Sequence, residues 1–150
     1  MWKQKFKNKY TLESIKAAEN VAGENFTGVF DRGYDDNKIF EYMSSNEHKF
    51  VVRLDDARTL LFKGKKRNVQ EVSKSRKGKI LMKALFDNNE EYELMLSYTK
   101  AVLSYNKREY TLVIVYGLSD EKPMKLLTNK DIKDKNDVIK IVRLYYPDGE

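Results

Sequence analysis

Asp31, in the run Phe30-Asp31-Arg32-Gly33-Tyr34-Asp35, is the residue of this 150-residue chain whose type and context best suit it to chemistry. The preceding Phe26-Thr27-Gly28-Val29-Phe30 is short, aromatic and β-branched, and it stops at Asp31-Arg32-Gly33 as a buried strand ends in a turn. A carboxylate at the C-terminal edge of a strand suits a hard divalent cation, because magnesium takes one or two protein carboxylates and fills its remaining positions with water and phosphate oxygens. In two-metal phosphodiester chemistry one cation activates water or a 3′-hydroxyl and the other stabilises the leaving oxygen, so carboxylates from several elements must converge. Asp31 alone would hold such a metal weakly. The structural alternative is a strand-end turn residue whose carboxylate bonds its own backbone.

Other candidates carry less chemistry. Asp35 and Asp36 follow closely enough to be extra ligands, but a helix N-cap accounts for at least one of them. Arg53 alternates with Val52 and Leu54, so it either pairs a carboxylate at the edge of the core or faces DNA. Lys63, Lys65, Lys66 and Arg67 form one basic cluster, and Lys74, Arg76, Lys77 and Lys79 a second. Both read as loops or hairpin tips, either solvated or in contact with phosphates, whose neutralisation releases counterions. Tyr34 is read as packing on the following helix, with a DNA contact as the other option. His48, alone between Glu47 and Lys49, is read as a surface residue.

Composition removes whole classes. With no Cys and one His, the chain builds no thiolate zinc site, disulfide, Cys nucleophile or multi-histidine metal centre, so any metal must be oxygen-bound. Gly78-Lys79 lacks the upstream glycine and following Ser/Thr of a P-loop, and Asp31–Asp35 lacks the alternating acids of a calcium loop. A formal charge of +6, from 29 Lys+Arg against 23 Asp+Glu, leans toward a polyanionic partner. The first residues have no apolar signal core and no stretch has the length of a membrane span, so the expected setting is the cytoplasm, away from membranes.

The elements that must position these residues follow from periodicity. Lys3, Lys5, Lys7 and Lys9 would share one face of a strand, but the reading taken is a frayed, solvated terminus. Thr11 caps a helix over 11–22, with Leu12, Ile15, Ala18 and Val21/Ala22 at helical spacing. After the strand at 26–30 and the Asp31 turn, Asp35 or Asp36 opens a helix with Ile39, Phe40 and Met43 inward, closing near 44–46. Phe50–Leu54 is the next strand, which makes a βαβ unit with a parallel pair. Antiparallel strands are expected between about 79 and 128, including 92–98, 110–116 and 124–128. A last helix over 137–146 carries Val138, Ile141, Val142 and Tyr145 on one face. There is no internal repeat or Pro/Gly/Ser-rich linker, so the chain is read as one domain.

Three features in this order carry a resemblance. The segment Phe30–Asp35 with its helix and Phe50–Leu54, then Glu121-Lys122-Pro123-Met124-Lys125-Leu126-Leu127-Thr128-Asn129, then the helix ending Leu144-Tyr145-Tyr146, resemble bacterial DDE transposases of the insertion sequence four type. The resemblance covers most of the chain and implies an α/β fold. That fold is a partial ribonuclease H-like core interrupted by a β-rich insertion, with core at 11–56, insertion at about 57–120 and return to core at 121–150. It further implies Asp31 as the second catalytic aspartate and a ligand of Mg2+ or Mn2+. DNA at transposon ends would be the partner, held through Arg53, Lys63, Lys65, Lys66 and Arg67, and the parent would act as a homodimer. Two departures stand out. No residue from Met1 to Tyr10 matches the first catalytic aspartate. After Tyr145 comes Asp148 where the family has an arginine, and Glu150 lies too close to the tyrosine to be the catalytic glutamate. The resemblance therefore implies a truncated, decayed or excised piece of a DNA-cleaving and strand-transferring enzyme, inactive alone. The alternative is a non-catalytic DNA-binding or oligomerisation remnant.

Overall fold

The structure, a computed structural model, describes residues 2–6, 12–22, 26–85, 89–118 and 122–146. Strand β1 (Trp2–Phe6) leads into helix α1 (Leu12–Ala22), β2 (Phe26–Phe30), α2 (Asn37–Ser45) and β3 (Lys49–Arg53). A hairpin of β4 (Thr59–Phe62) and β5 (Lys65–Asn68) precedes the short helix α3 (Val69–Ser75). The remaining elements are β6 (Ile80–Leu85), β7 (Glu91–Val102), β8 (Glu109–Tyr116), β9 (Met124–Thr128) and α4 (Lys135–Tyr145).

All nine described strands join one sheet in the order β1-β2-β3-β9-β8-β7-β4-β5, with β6 paired to the first half of β7. β1, β2 and β3 run parallel, and every other described pairing is antiparallel, so the fold is mixed α/β with a mostly antiparallel sheet. The parallel β2–α2–β3 unit is the one expected from the alternation of apolar runs and helical spacing. The strands between Ala57 and Gly117 continue the core sheet, because β9 returns to pair with β3 on one side and β8 on the other.

Two expectations are corrected. The N-terminus is not frayed: Trp2–Phe6 pairs along β2 from Trp2↔Phe26 to Phe6↔Phe30. The lysine alternation reads as solvated, but the otherwise open edge of β2 supplies hydrogen-bond partners that a free terminus lacks. Lys7, Lys9 and the cap residue Thr11 lie outside the described residues. The basic clusters are also less loop-like than expected. Lys65, Lys66 and Arg67 are strand residues of β5, and Lys74 lies in α3. α3 escapes periodicity because it has only seven residues and two apolar anchors, Val69 and Val72. Its start is fixed by Asn68, whose side-chain oxygen accepts from the Gln70 and Glu71 amides at 2.9 and 3.2 Å.

Strand alternation divides the core between the two faces of the sheet. Phe26, Phe30, Phe50 and Val52 pack with Ile15 of α1, with Ile39, Phe40 and Met43 of α2, and with Val69 and Val72 of α3. Val29, Val51, Val113 and Leu126 pack on the opposite face with Val138, Ile141, Val142 and Tyr145 of α4. Gly28 is required where it stands: a Cβ there would lie 2.6 Å from Cζ of the Phe30 ring and 3.1 Å from Cε of Met43. No described helix is long and apolar enough to cross a membrane.

Candidate functional site

Asp31 stands where β2 ends, half-buried and extended at φ −77° and ψ −179°, as the cap of a single 3-10 turn over Arg32–Tyr34. Its Oδ1 accepts the Gly33 amide at 3.0 Å, which is the turn-residue geometry named above as the structural alternative. Gly33 suits the close approach, since a Cβ there would come within 3.3 Å of that oxygen. The Tyr34 side chain lies outside the described residues.

The neighbouring acids are committed to structure. Asp36 caps α2 by accepting the Lys38 amide at 2.7 Å. The Asp35 carboxylate is almost fully buried, pairs with the Arg58 guanidinium, accepts Arg58 Nε at 2.7 Å and takes the Asp55 amide at 2.7 Å. This ties the loop after β2 to the loop after β3, and the same guanidinium lies 5.2 Å above the Phe40 ring.

Arg53, at the end of β3, hydrogen-bonds the Tyr145 hydroxyl from the last turn of α4. Burial pushes the Tyr145 hydroxyl above its ordinary pKa, Tyr146 and Asp31 push it the same way, and the Arg53 cation and hydrogen bond oppose them. Asp31, Arg53 and Tyr145 therefore share one corner, at the C-terminal ends of β2 and β3. Among the described residues no group of three His, Cys, Asp or Glu side chains is arranged to hold a metal ion. One carboxylate beside an arginine and a tyrosine does not make a two-metal donor set, which needs several converging carboxylates.

Two ionisable groups were misjudged or overlooked in the sequence. His48 is not a surface residue: it is 3% exposed, bonds the Glu19 carboxylate of α1, and meets the Phe26 ring edge-on at 5.2 Å. Its charged neighbours Glu47 and Lys49 suggested solvent, but the strand period places His48 on the inward face with Phe50 and Val52. Lys125 is 1% exposed in the middle of β9, bonded to Asp56 Oδ1 at 2.5 Å and to Gln70 Oε1. Burial pushes the Asp56 carboxyl up, but the hydrogen bond and charge of Lys125, with Lys122 beside it, outweigh this and leave it below its usual range. The signal for Lys125 was a single cation inside an otherwise apolar strand.

The Glu19 cluster has a pH consequence. Its carboxylate accepts from His48 and from the Tyr42 hydroxyl at 3.1 and 3.2 Å. The His48 hydrogen bond, opposed by burial and aided by Tyr42, holds Glu19 below the ordinary glutamate pKa. A depressed carboxyl contributes stability that is fully present above its unfolded value, about 4.3 for a glutamate, and lost as pH falls through the folded one. Urea midpoints measured from pH 7 down to pH 3 should fall more steeply below about pH 4.3 for the wild type than for Glu19→Gln. Parallel profiles would remove Glu19 from this account.

The basic clusters meet far from Asp31 in strand order. Lys63, Lys65 and Arg67 of the β4–β5 hairpin, Arg76 after α3 and Lys100 of β7 line one cavity of about 730 Å³, with Glu109 as the acid among its lining residues. Lys66 is not among them, because it alternates with Lys65 and Arg67 on β5. No protein-family model matches the chain, and no curated protein matches it.

Proposed function

We propose that this chain is a piece of a DDE transposase of the insertion sequence four type, and that by itself it binds DNA without cutting it. In this reading residues 11–56 and 121–150, which carry α1, β2, α2, β3, β9 and α4, belong to a ribonuclease H-like core, and the β-rich segment at about 57–120 is the insertion. The observation that carries it is the return of α4: a helix following the whole antiparallel segment packs against β2 and β3, with Tyr145 beside Asp31 and Arg53. A core split by an insertion demands such a return. Asp31 is one ligand of the Mg2+ or Mn2+ of the intact parent, and DNA at transposon ends is the partner. The described donor set holds too few carboxylates for two metals, so no cleavage step is assigned to this chain. The groove lined by Lys63, Lys65, Arg67 and Arg76 favours a second reading, a non-catalytic DNA-binding or oligomerisation remnant that uses the basic cluster and no metal.

Calorimetric titration with MnCl2 or MgCl2 separates the two. Asp31→Asn is expected to weaken metal binding by about tenfold or more, the scale on which changes at metal sites act. Metal binding indifferent to that substitution would exclude the catalytic origin. Binding to duplex DNA at two salt concentrations tests the partner, and absent or salt-independent binding would exclude it.

A further inference from the structure

We propose that the groove between the β4–β5 hairpin, the end of α3 and β7 is a site for single-stranded nucleic acid, with phosphates on its cationic rim and a base against Phe62. The choice of nucleic acid as ligand rests on the reading of DNA as partner; the groove itself stands on its geometry. Its cations come from two separate elements: Lys63, Lys65 and Arg67 of the hairpin, and Arg76 after α3. None of the four forms an ion pair with a carboxylate among the described residues. Unpaired cations gathered around a concavity repel one another, and a polyanion relieves that repulsion.

The groove is built rather than incidental. Lys63 and Gly64 both have positive φ, 51° and 82°, the two-residue hairpin geometry that holds the tip tightly over the cavity. Arg76 is fixed by Nε donating to Ser97 Oγ at 2.9 Å and Nη2 donating to the Tyr98 carbonyl at 3.0 Å, which leaves other guanidinium N–H groups unspent. Between these cations Leu61, Phe62 and Val72 line the cavity with apolar surface. That combination selects a single strand. A duplex offers its phosphates on a convex surface and keeps its bases stacked, so it would use only the rim, whereas an unpaired base gains from an aromatic surface whatever its identity. A lone phosphate would satisfy only part of the charge.

The test is fluorescence anisotropy of the full chain with labelled dT12, with a duplex of the same length, and with inorganic pyrophosphate as competitor. The Lys65→Ala/Arg67→Ala double variant is expected to bind dT12 at least tenfold more weakly. Its salt slope should be shallower by about 1.4, two phosphate contacts at roughly 0.7 each. Lys66→Ala, on the other side of the same strand, should change binding little. Phe62→Leu keeps apolar volume and should weaken binding with the salt slope unchanged. Circular dichroism melts confirm that each variant folds. Equal losses in Lys66→Ala and the double variant, a duplex bound as tightly as dT12, displacement by stoichiometric pyrophosphate, or no dT12 binding at low salt would each overturn the proposal. The metal titration is a separate readout: a chain that binds manganese but not dT12 overturns this inference alone, and the converse overturns only the catalytic origin.

Discussion

Asp56→Asn is expected to destabilise the fold by about 3–5 kcal/mol, because it leaves a buried ammonium without its counter-charge. Lys125 lies in β9 between Met124 and Leu126, and its side chain is 1% exposed, so water cannot take over from the lost carboxylate. Gln70 would remain as a neutral partner, and its Nε2 is already buried with no hydrogen-bond partner among the described residues. The Gln70 oxygen and the neutral amide oxygen that the substitution leaves at position 56 do not offset the desolvation of a cation. The contrasting variant is Lys125→Met/Gln70→Met, which removes the buried cation and the unsatisfied amide together and leaves Asp56, 29% exposed, paired with Lys122 at 3.5 Å. Apolar replacement of a buried ionic group is often neutral or stabilising, so this double variant should lie within about 1 kcal/mol of wild type or above it. Urea unfolding of both variants decides the matter. If Asp56→Asn costs no more than a surface substitution, about 0.5 kcal/mol, then Lys125 reaches solvent and the cluster is not buried in solution.

Asp35→Ala is the second large effect, expected to cost about 3–5 kcal/mol for the same physical reason with a different consequence. The Asp35 carboxylate is 4% exposed and Arg58 17% exposed, and the pair also receives the Asp55 amide and the Arg58–Asn37 bond at 2.8 Å. Removing it strands the guanidinium over Phe40 and frees the loop after β3 from the loop after β2. Backbone amide exchange at Gly33 and Asp55 should therefore accelerate beyond what the global loss of stability explains, since one contact holds both loops. The Asp31 turn is the element most exposed to this change. An exchange profile that rises uniformly across the sheet would show that Asp35 stabilises the fold without locally positioning Asp31. Arg58→Leu tests the partner, and in a double-mutant cycle the two should couple rather than add.

These residues mark where sequence reading holds and where it stops. β2, α2 and β3 were legible because their apolar residues keep strict periods and their ends carry strong punctuation: Asp31-Arg32-Gly33 closes the strand and Asp36 caps the helix. Asp31 was legible for the same reason, as an acid at a strand end. Its neighbours' roles were not. Asp35 is set apart from Asp36 by Arg58, which lies 23 residues away in sequence. The corner shared by Asp31, Arg53 and Tyr145 depends on α4 crossing back over the sheet after the antiparallel strands. No local period encodes that return.

The basic groove makes the same division. The sequence by itself determined that two cationic clusters exist; that Lys66 opposes Lys65 and Arg67 follows from β5 being a strand, where the sequence reads as a loop or hairpin tip. Only the tertiary structure decided that the clusters meet, because β4 joins β7 through Leu61↔Val102, a pairing 41 positions apart. It likewise decided that Trp2–Phe6 is a strand, that His48 is buried, and that Lys125 is a core cation. Each outcome depends on what covers a face or completes an edge. Burial and pairing are set by distant partners, whereas periodicity and turn chemistry are carried by residues a few positions apart.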